Sequence, residues 1–553
     1  MIYVAAGIVL ATLVAMASGK VDAVLALLVA LIVAGLLGIV PAEELFAGLG
    51  NPAVITVAAM LVIAKGIVQT GVVSRATWRL LSATRTAQQA LRRLMVPIGV
   101  ASSLINTTPL VALLIPATKE LEQTRHIPAR AVLLPIAHAT TLAGPVTLIG
   151  ISSNLVIAGI AGQSGVQMSM LSFAPVALPV TLVGWAIVYL TAPHLLQGQP
   201  STKAPTKDWR VEIPITAPAL AERQRASRMG IAKTQQYELT GIQRWGEMVG
   251  PDTPIEAGDV LVFAATENGV SALWGSPRFG MPPHRLFAVT VKAGEHGTLR
   301  DFEDDGSIRV IAARTTKPLH DTELVPGDTC YVAGESADAV ARNDLVALWQ
   351  DAASRAPQPA KTGVALAVLL GVIIAAFFGL APVELAASGG AVLMVLTGVI
   401  TPRSAVRALD LRLLFILAGS IGLGTIVVSS GLADVLADWI RDVSDSNVAL
   451  VVVVFALTTT VMTNLITNAA TASILTPVGI GITTELGIDP VTVLALIGTC
   501  ISFTFINPFS HQSNLMVMRP GGYTTQMFAR FGVPLILGSL VGVCTVTYLL
   551  LRT

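Results

Sequence analysis

The chain repeats one pattern at a fixed interval. Gly150-Ile151-Ser152-Ser153-Asn154 in the first half has a counterpart in Ser510-His511-Gln512-Ser513-Asn514, 360 positions later. Upstream, INTTPLVALLIP ends at Pro116 and TNAATASILTP at Pro477, 361 positions apart. Further upstream, KGIVQTG ends at Gly71 and GTIVVSSG at Gly431, again 360 apart. Each landmark is a short polar stretch inside an apolar run. Three landmarks at a near-constant offset require two copies of one unit. Any fold for this chain must therefore place the two sets of polar interruptions equivalently.

The runs that carry these interruptions are too apolar for an aqueous globule. The chain is 53% hydrophobic and 12% charged, with a mean hydropathy of +0.72, far from the composition of soluble domains. Apolar stretches at 3–17 with 21–40, 52–70, 172–192, 362–380, 411–430 and 532–551 approach the roughly 20 residues that a spanning helix needs. The fold class expected is a polytopic α-helical membrane protein. Interrupted hydrophobic segments in corresponding positions of two halves are the sequence mark of secondary transporters. Cys330, Cys500 and Cys544 are too scattered for a disulfide framework or a metal cluster. No Lys or Arg precedes Ala15-Met16-Ala17, so a retained first helix is expected rather than a cleaved signal. A net charge of +1 gives no reason to expect nucleic acid as a partner.

Charge is concentrated between the halves. Residues 197–360 hold 38 of the 69 charged side chains, flanked by the linker-like runs GQPSTKAPTKD and RAPQPAKTG. The expected organisation is a membrane half at 1–196, soluble modules at 205–280 and 281–352, and a second membrane half at 360–553. The modules are themselves a duplication. PIEAGDVLVFAATENGVSAL (254–273) parallels LVPGDTCYVAGESADAVARN (324–343), with Gly258-Asp259 and Gly327-Asp328 69 positions apart. A Gly-Asp turn before a β-branched run reads as a strand entry. This pattern resembles the C-terminal subdomain of potassium-channel and TrkA regulatory proteins, a small α+β module. The resemblance implies paired modules and a small ligand, with a nucleotide among the candidates. Arg223, Arg225, Arg228 and Arg244 could meet an anion there, although a solvated surface is the simpler reading.

Charge also orients the copies. Residues 74–93 carry five Arg and no acid, whereas 434–453 carry one Arg and four Asp. Lys and Arg favour the cytoplasmic side, so equivalent segments are expected on opposite faces, which makes the repeat an inverted one. Residues 74–93 are expected as a cytoplasmic interfacial helix, and the insert is expected on the same side.

Inside a bilayer, irregular backbone is tolerated only where protein or a water-lined cavity satisfies it. Asn106-Thr107-Thr108-Pro109 is such a place, because Pro109 removes a donor and disfavours helix at Thr108. Thr467-Asn468 is its counterpart. Both read as tips of re-entrant hairpins. Their carbonyl, hydroxyl and amide oxygens suit a hard cation such as Na⁺, and adjoining helix N-termini suit an anion. The breaks ending at Asn154 and Asn514 form the facing wall. Ordinary interhelical polar contacts are the alternative for each of these residues.

These residues resemble the divalent anion/sodium symporter family, the dicarboxylate and sulfate transporters of the ion transporter superfamily. The resemblance covers about 1–195 and 360–553. It implies inverted repeats, homodimers with a moving domain of elevator type, and a small inorganic or organic divalent anion as cargo. It also implies coupling to Na⁺ or H⁺ and residence in the inner membrane. The relatives with paired modules in the central loop lean towards sulfate. Carried over residue by residue, one cation site would involve Ser102, Asn106, Thr107 and Gly150. The other would involve Thr463, Thr467, Asn468 and Ser510. The anion would lie near Asn106, Thr107, Thr108, Ser153, Asn154, Asn468, Ala469, His511, Ser513 and Asn514. The pattern departs from the family where Thr107 replaces Asn, where Ala469 replaces Thr, and where the later motifs lack their prolines. That weakens a dicarboxylate reading.

Four ionisable residues stand apart. Lys65, opposite Thr425 in the repeat, lies within an apolar run and is either functional or snorkelling. His511, opposite Ile151, could bind an oxyanion or carry a proton, or simply pack. His138 reads as a satisfied interior histidine and Arg519 as an interfacial anchor. No nucleophile triad, phosphate-binding loop or metal-ligand cluster is present in the sequence, so an enzyme is not expected. Alternatives are a citrate, carboxylate or other oxyanion transporter, a potassium channel gated by the insert, and a nutrient sensor without transport.

Overall fold

Leading apolar runs become helices that correspond one to one across the two halves. Ile2–Ala17 and Ala23–Leu36 match Thr362–Phe377 and Val383–Leu396, and Pro52–Gln69 matches Leu411–Ser429. Val72–Ser82 matches Leu432–Ser444, and Ala87–Leu104 with Thr107–Arg125 matches Val448–Leu465 with Asn468–Leu486. Leu133–Ala143 matches Pro490–Cys500, Ser152–Gln163 matches Gln512–Met518, and Ala174–Leu195 matches Thr525–Arg552. This computed structural model describes all residues except 18–20, 83, 106, 126, 197–206, 216–224, 228–231, 235, 275–284, 293–296, 299–302, 304–307, 336–338, 341–342, 344, 352–360, 446 and 553. Met1–Pro200 with Pro357–Thr553 forms one unit and Ser201–Ala356 another.

Among the described residues, five helices are long and apolar enough to cross a membrane: Ala42–Gln69, Ala174–Leu195, Leu411–Ser429, Val448–Leu465 and Thr525–Arg552. Shorter apolar helices accompany them. The spanning helix Val448–Leu465 lies outside the apolar stretches named above, and its last turns, TTTVMTNL, bring polar residues to the tip. The glycine landmarks mark the same turn twice. Gly71 and Gly431 adopt φ of +71° and +76°, a left-handed conformation that glycine takes without a Cβ penalty.

One expectation is corrected. Residues 74–93 are not a single helix. Val72–Ser82 stops, and Ala87–Leu104 starts after Thr86, whose hydroxyl accepts the Gln89 N–H at 3.2 Å. The counterpart divides in the same way, with Asn447 capping Val448–Leu465. A Thr or Asn N-cap supplies an acceptor to the orphan N–H groups of a new helix, and in both copies it begins the hairpin.

The first unit is held by close packing of small against large residues, as expected where lipid removes most of the hydrophobic drive between helices. Gly99 lies under Trp185, where a Cβ would sit 2.2 Å from the indole. The indole N–H in turn donates to Ala139 O at 2.9 Å. Phe173, Phe455, Phe503, Phe505, Phe528 and Phe531 are fully buried.

The insert is built of antiparallel strands with a helix, Glu267–Trp274, among the described residues. Its strands are β1 (Trp209–Pro214), β2 (Tyr237–Arg244), β3 (Glu247–Val249), β4 (Val260–Ala265), β5 (Arg285–Val291), β6 (Gly297–Thr298), β7 (Ile308–Ala313), β8 (Glu323–Leu324), β9 (Thr329–Gly334) and β10 (Val346–Asp351). Eight of them run in the order β10-β5-β9-β7-β1-β4-β2-β3, and β6 pairs with β8. The pairing is itself duplicated: β1-β4-β2 repeats as β5-β9-β7, and β1 joins β7 through Arg210↔Ala313 and Val211↔Ala312. Trp209, Val211 and Ile213 alternate inward with Arg210 and Glu212 outward, the period-two pattern of a half-buried strand. Both Gly-Asp turns are built alike. Gly258 and Gly327 have φ of +89° and +85°. Asp259 accepts from Glu256 N at 2.8 Å and Asp328 from Val325 N at 3.0 Å. Glycine at the third position of such a turn is what a type II geometry requires.

Candidate functional site

Each half builds its hairpin tip from the same hydrogen bonds. Ser102 Oγ donates to Thr140 O at 2.9 Å and lies 2.9 Å from Thr107 Oγ1. In the other copy Thr463 Oγ1 lies 2.8 Å from Ile501 O and 2.9 Å from Asn468 Oδ1. The three positions of each set are 361 apart, pair by pair. A hydroxyl one turn before the tip therefore bridges the first residue of the next helix to a carbonyl of the neighbouring broken segment. All of these atoms except the shared hydrogens are oxygens.

The tips are tighter than the sequence implied. Thr107, Thr108 and Pro109 already belong to the first turn of Thr107–Arg125, and Asn468 begins Asn468–Leu486 after Thr467 caps it. Proline is tolerated in a first turn, where its missing N–H would have no partner. The break is confined to the residues just before, Ile105 being extended at φ −133° and Ile466 at −129°. Asn106 lies outside the described residues.

The second breaks pack directly on these tips. Ser103 O accepts from the Thr147 hydroxyl. Its counterpart Asn464 donates to Phe503 O at 2.9 Å and accepts from Ser510 Oγ at 3.2 Å. Gly150 sits so close that a Cβ would lie 2.1 Å from Gly144 O and 2.8 Å from Ser103 O. Ile151 and His511 enter their helices with nearly equal backbones, φ −134° and −145°. Only His511 caps with its side chain, Nδ1 accepting from Ser513 N at 3.2 Å and lying 2.6 Å from Ser513 Oγ.

Asn154 and Asn514 lock the breaks. Asn154 Nδ2 donates to Pro145 O at 3.1 Å and Thr147 O at 3.0 Å, and Asn514 Nδ2 donates to Thr504 O at 2.6 Å. Both side chains are essentially fully buried, yet neither Oδ1 has a partner, and Ser153 Oγ and Thr504 Oγ1 are unpartnered as well. Buried acceptors without donors are costly unless something else occupies them. The copies interlock here. Ser152–Gln163 packs against Asn468–Leu486, and Gln512–Met518 packs against Thr107–Arg125. Asn154 Oδ1 faces Gly498 of the second half, where a Cβ would come within 2.8 Å.

The other predicted residues distribute as follows. Ala469 is buried, Thr108 partly so. Lys65 and Arg519 are at exposed positions. His138 is interior but not satisfied by hydrogen bonds: both ring nitrogens lack partners, and the ring lies among Phe505, Phe528 and Phe531 at centroid distances of 5.0, 6.2 and 5.5 Å. On the insert, Arg225 pairs with Asp252 at 3.3 Å, and Arg244 pairs with Asp259 at 2.8 Å and Glu256 at 3.3 Å; Arg223 and Arg228 lie outside the described residues. Ser103, Thr147, Asn464 and Thr504 were missed by the sequence reading. Applying the 361 offset one step past Ser102 and Thr463 would have found the first and third.

The chain is similar to known proteins over most of its length. The family model described as citrate transporter (CitMHS) matches residues 12–499 and 385–553. An uncharacterized transporter of Synechocystis is 27% identical over 560 residues, covering 92% of this chain and 90% of that protein. A Chlamydomonas reinhardtii protein named as a sulfur deprivation response regulator is 25% identical over 568 residues, covering 94% and 97%. Sodium/sulfate cotransporter 1 of the same alga is 28% identical over 323 residues, covering 56% of this chain and 35% of that protein. With two interlocked helical copies, their paired breaks and a family match spanning both, this chain is a multi-pass membrane transporter, not an enzyme, and belongs to the citrate transporter (CitMHS) family.

Proposed function

We propose that the protein is a cation-coupled secondary transporter of a small divalent oxyanion, with sulfate the first candidate. The observation that carries this reading is the doubled oxygen network, Ser102–Thr107–Thr140 O and Thr463–Asn468–Ile501 O. It offers neutral hydroxyl and carbonyl oxygens to a hard cation in each copy, with the Asn468 amide oxygen added in the second. Neutral oxygen ligands suit Na⁺, and a cation bound at each tip supplies the positive charge that draws a dianion between them. The N-terminal ends of Thr107–Arg125 and Asn468–Leu486 add their partial positive charge. Sulfate is favoured by the names of the algal relatives and by the absence of the second-motif Thr at Ala469.

In this reading the copies are inverted in the membrane. The unit that holds both tips moves past a homodimeric scaffold as an elevator, and the insert faces the cytoplasm of an inner membrane. The duplicated insert, with its TrkA-C-like Gly-Asp turns, binds a small ligand and biases one conformation over another, as a differential affinity requires. Uptake of radiolabelled sulfate into proteoliposomes tests the whole. Accumulation should need an inward Na⁺ or H⁺ gradient and should be competed by thiosulfate before succinate or citrate. Uptake indifferent to both gradients would remove the coupling.

A second reading is favoured by the near-full-length algal relative named for the sulfur deprivation response: a sensor that binds the anion without moving it. Sulfate-dependent thermal stabilisation without proteoliposome uptake would select it.

A further inference from the structure

The two broken helices end differently, and the difference reaches across the halves. Ser152–Gln163 ends on its own turn, where Gly165 at φ +81° lets Val166 N bond to Ala161 O at 2.9 Å. Gln512–Met518 is only 7 residues long and is cut short by Pro520-Gly521-Gly522. Its turn closes through Gly521 N to Val517 O at 3.0 Å and Tyr523 N to Met518 O at 2.8 Å. The carbonyls beyond are taken by the first half of the chain. Arg130 Nε donates to Gly521 O at 3.4 Å, and Arg130 Nη2 donates to Gly522 O at 3.1 Å. These carbonyls lie beyond the helix, so the guanidinium pins the turn that follows Gln512–Met518.

The contact is reciprocal. The Tyr523 hydroxyl donates to Arg130 O at 2.5 Å and accepts from Leu134 N at 2.9 Å. Leu134 is in the first turn of Leu133–Ala143, where an N–H has no partner within its own helix. Tyr523 thus caps a helix of the first half, and Arg130 holds the turn that follows a helix of the second. The glycines make room: a Cβ on Gly521 would sit 2.1 Å from the Tyr523 ring, and one on Gly522 would sit 3.3 Å from Arg130 Nη2. The repeat contains no counterpart, because the 361 offset takes Arg130 to Val491 and the 360 offset takes Tyr523 to Gln163.

We propose that Arg130 and Tyr523 are positioning residues of the transport site, a one-sided clasp that holds the break His511–Asn514 against the first half. Leu133–Ala143 carries Thr140, whose carbonyl receives Ser102, and Gln512–Met518 carries Asn514. The clasp joins the outer ends of these two elements, so the oxygen network of one copy and the break of the other move as one body. Because Gln512–Met518 has under two turns of its own, its position depends on this anchored turn in a way that Ser152–Gln163 does not.

Hydrogen exchange on the full-length protein in nanodiscs tests the clasp without knowledge of the cargo. Arg130→Gln and Tyr523→Phe should each speed exchange in residues 511–523 by roughly tenfold, the loss of one or two charge-assisted or buried hydrogen bonds. Exchange in 152–163 should stay as in wild type. Arg130→Lys, which keeps the cation, should recover part of the protection. Equal acceleration in both segments, or none, overturns the proposal. The consequence for transport rests on the function proposed above and is read separately: in proteoliposomes Arg130→Gln should raise KM for the anion several-fold with Vmax less affected. Unchanged KM alongside selective exchange would leave the clasp in place but remove its positioning role. Absence of sulfate uptake in wild type would strike the function proposed above, as cargo or as transport, and would leave the exchange result on the clasp standing.

Discussion

At the scale of single residues, the site is made of oxygens that hold one another at fixed distances with no charge among them. Ser102 and Thr463 are the pivots, because each reaches both its tip and its broken segment. Removing either hydroxyl takes away the proposed cation ligand and a brace together. Ser102→Ala and Thr463→Val should each raise the cation concentration for half-maximal uptake by roughly tenfold, as loss of a buried hydrogen-bonding group predicts. The expressed amount of folded protein should change little, and cation titrations of uptake check this. Gly150 is the complementary case. A methyl group there would collide with two carbonyl oxygens, and overpacking of this kind costs about 1–3 kcal/mol. Gly150→Ala should lower the thermal midpoint in detergent and abolish stabilisation by the cation, whereas Gly162→Ala, with open space around it, should do neither.

At the scale of elements, what the sequence revealed depended on whether a residue type was obligatory. Gly71 and Gly431, or Gly258 and Gly327, stand out because their backbone needs glycine. Thr86 and Asn447 could have marked the hairpin starts because caps need a short polar side chain. Thr140 and Ile501 contribute only backbone carbonyls, which any side chain could carry, so no pattern pointed to them. Arg130 and Tyr523 lack repeat partners, and the offset that found the breaks was blind to them. The insert shows the same logic in its electrostatics. Burial pushes the Asp259 carboxyl up. The hydrogen bonds from Arg244 and Glu256 N and the guanidinium charge outweigh that and hold it below the ordinary carboxylate range. A carboxyl with a lowered folded-state pKa stabilises fully above its unfolded value, about 3.9, and loses that contribution as pH falls through the folded value. The first module should therefore resist limited proteolysis from neutral pH down to roughly 4 and open below. Asp259→Asn should be cleaved faster already at pH 7 and should lose that acid-dependent step.

At the scale of the molecule, two cores divide the labour. The membrane unit is assembled from Met1–Pro200 and Pro357–Thr553, and its interlocking contacts run between its two halves. The sheet of Ser201–Ala356 has separate apolar clusters around Trp209, Val211 and Phe263 and around Phe287, Val289 and Val332. A chain built this way tolerates long connections between contacting parts, because loop-closure entropy grows only slowly with length. Replacing residues 205–352 with a short Gly-Ser linker should therefore leave the membrane unit folded, with a monodisperse gel-filtration profile and a cation-dependent rise in thermal midpoint like that of the intact protein. Uptake should persist in such a variant and should no longer respond to any ligand that shifts transport in wild type. A membrane unit that aggregates without the insert would mean that the duplicated sheet is required for the two copies to find each other, and that folding rather than regulation is what retains it.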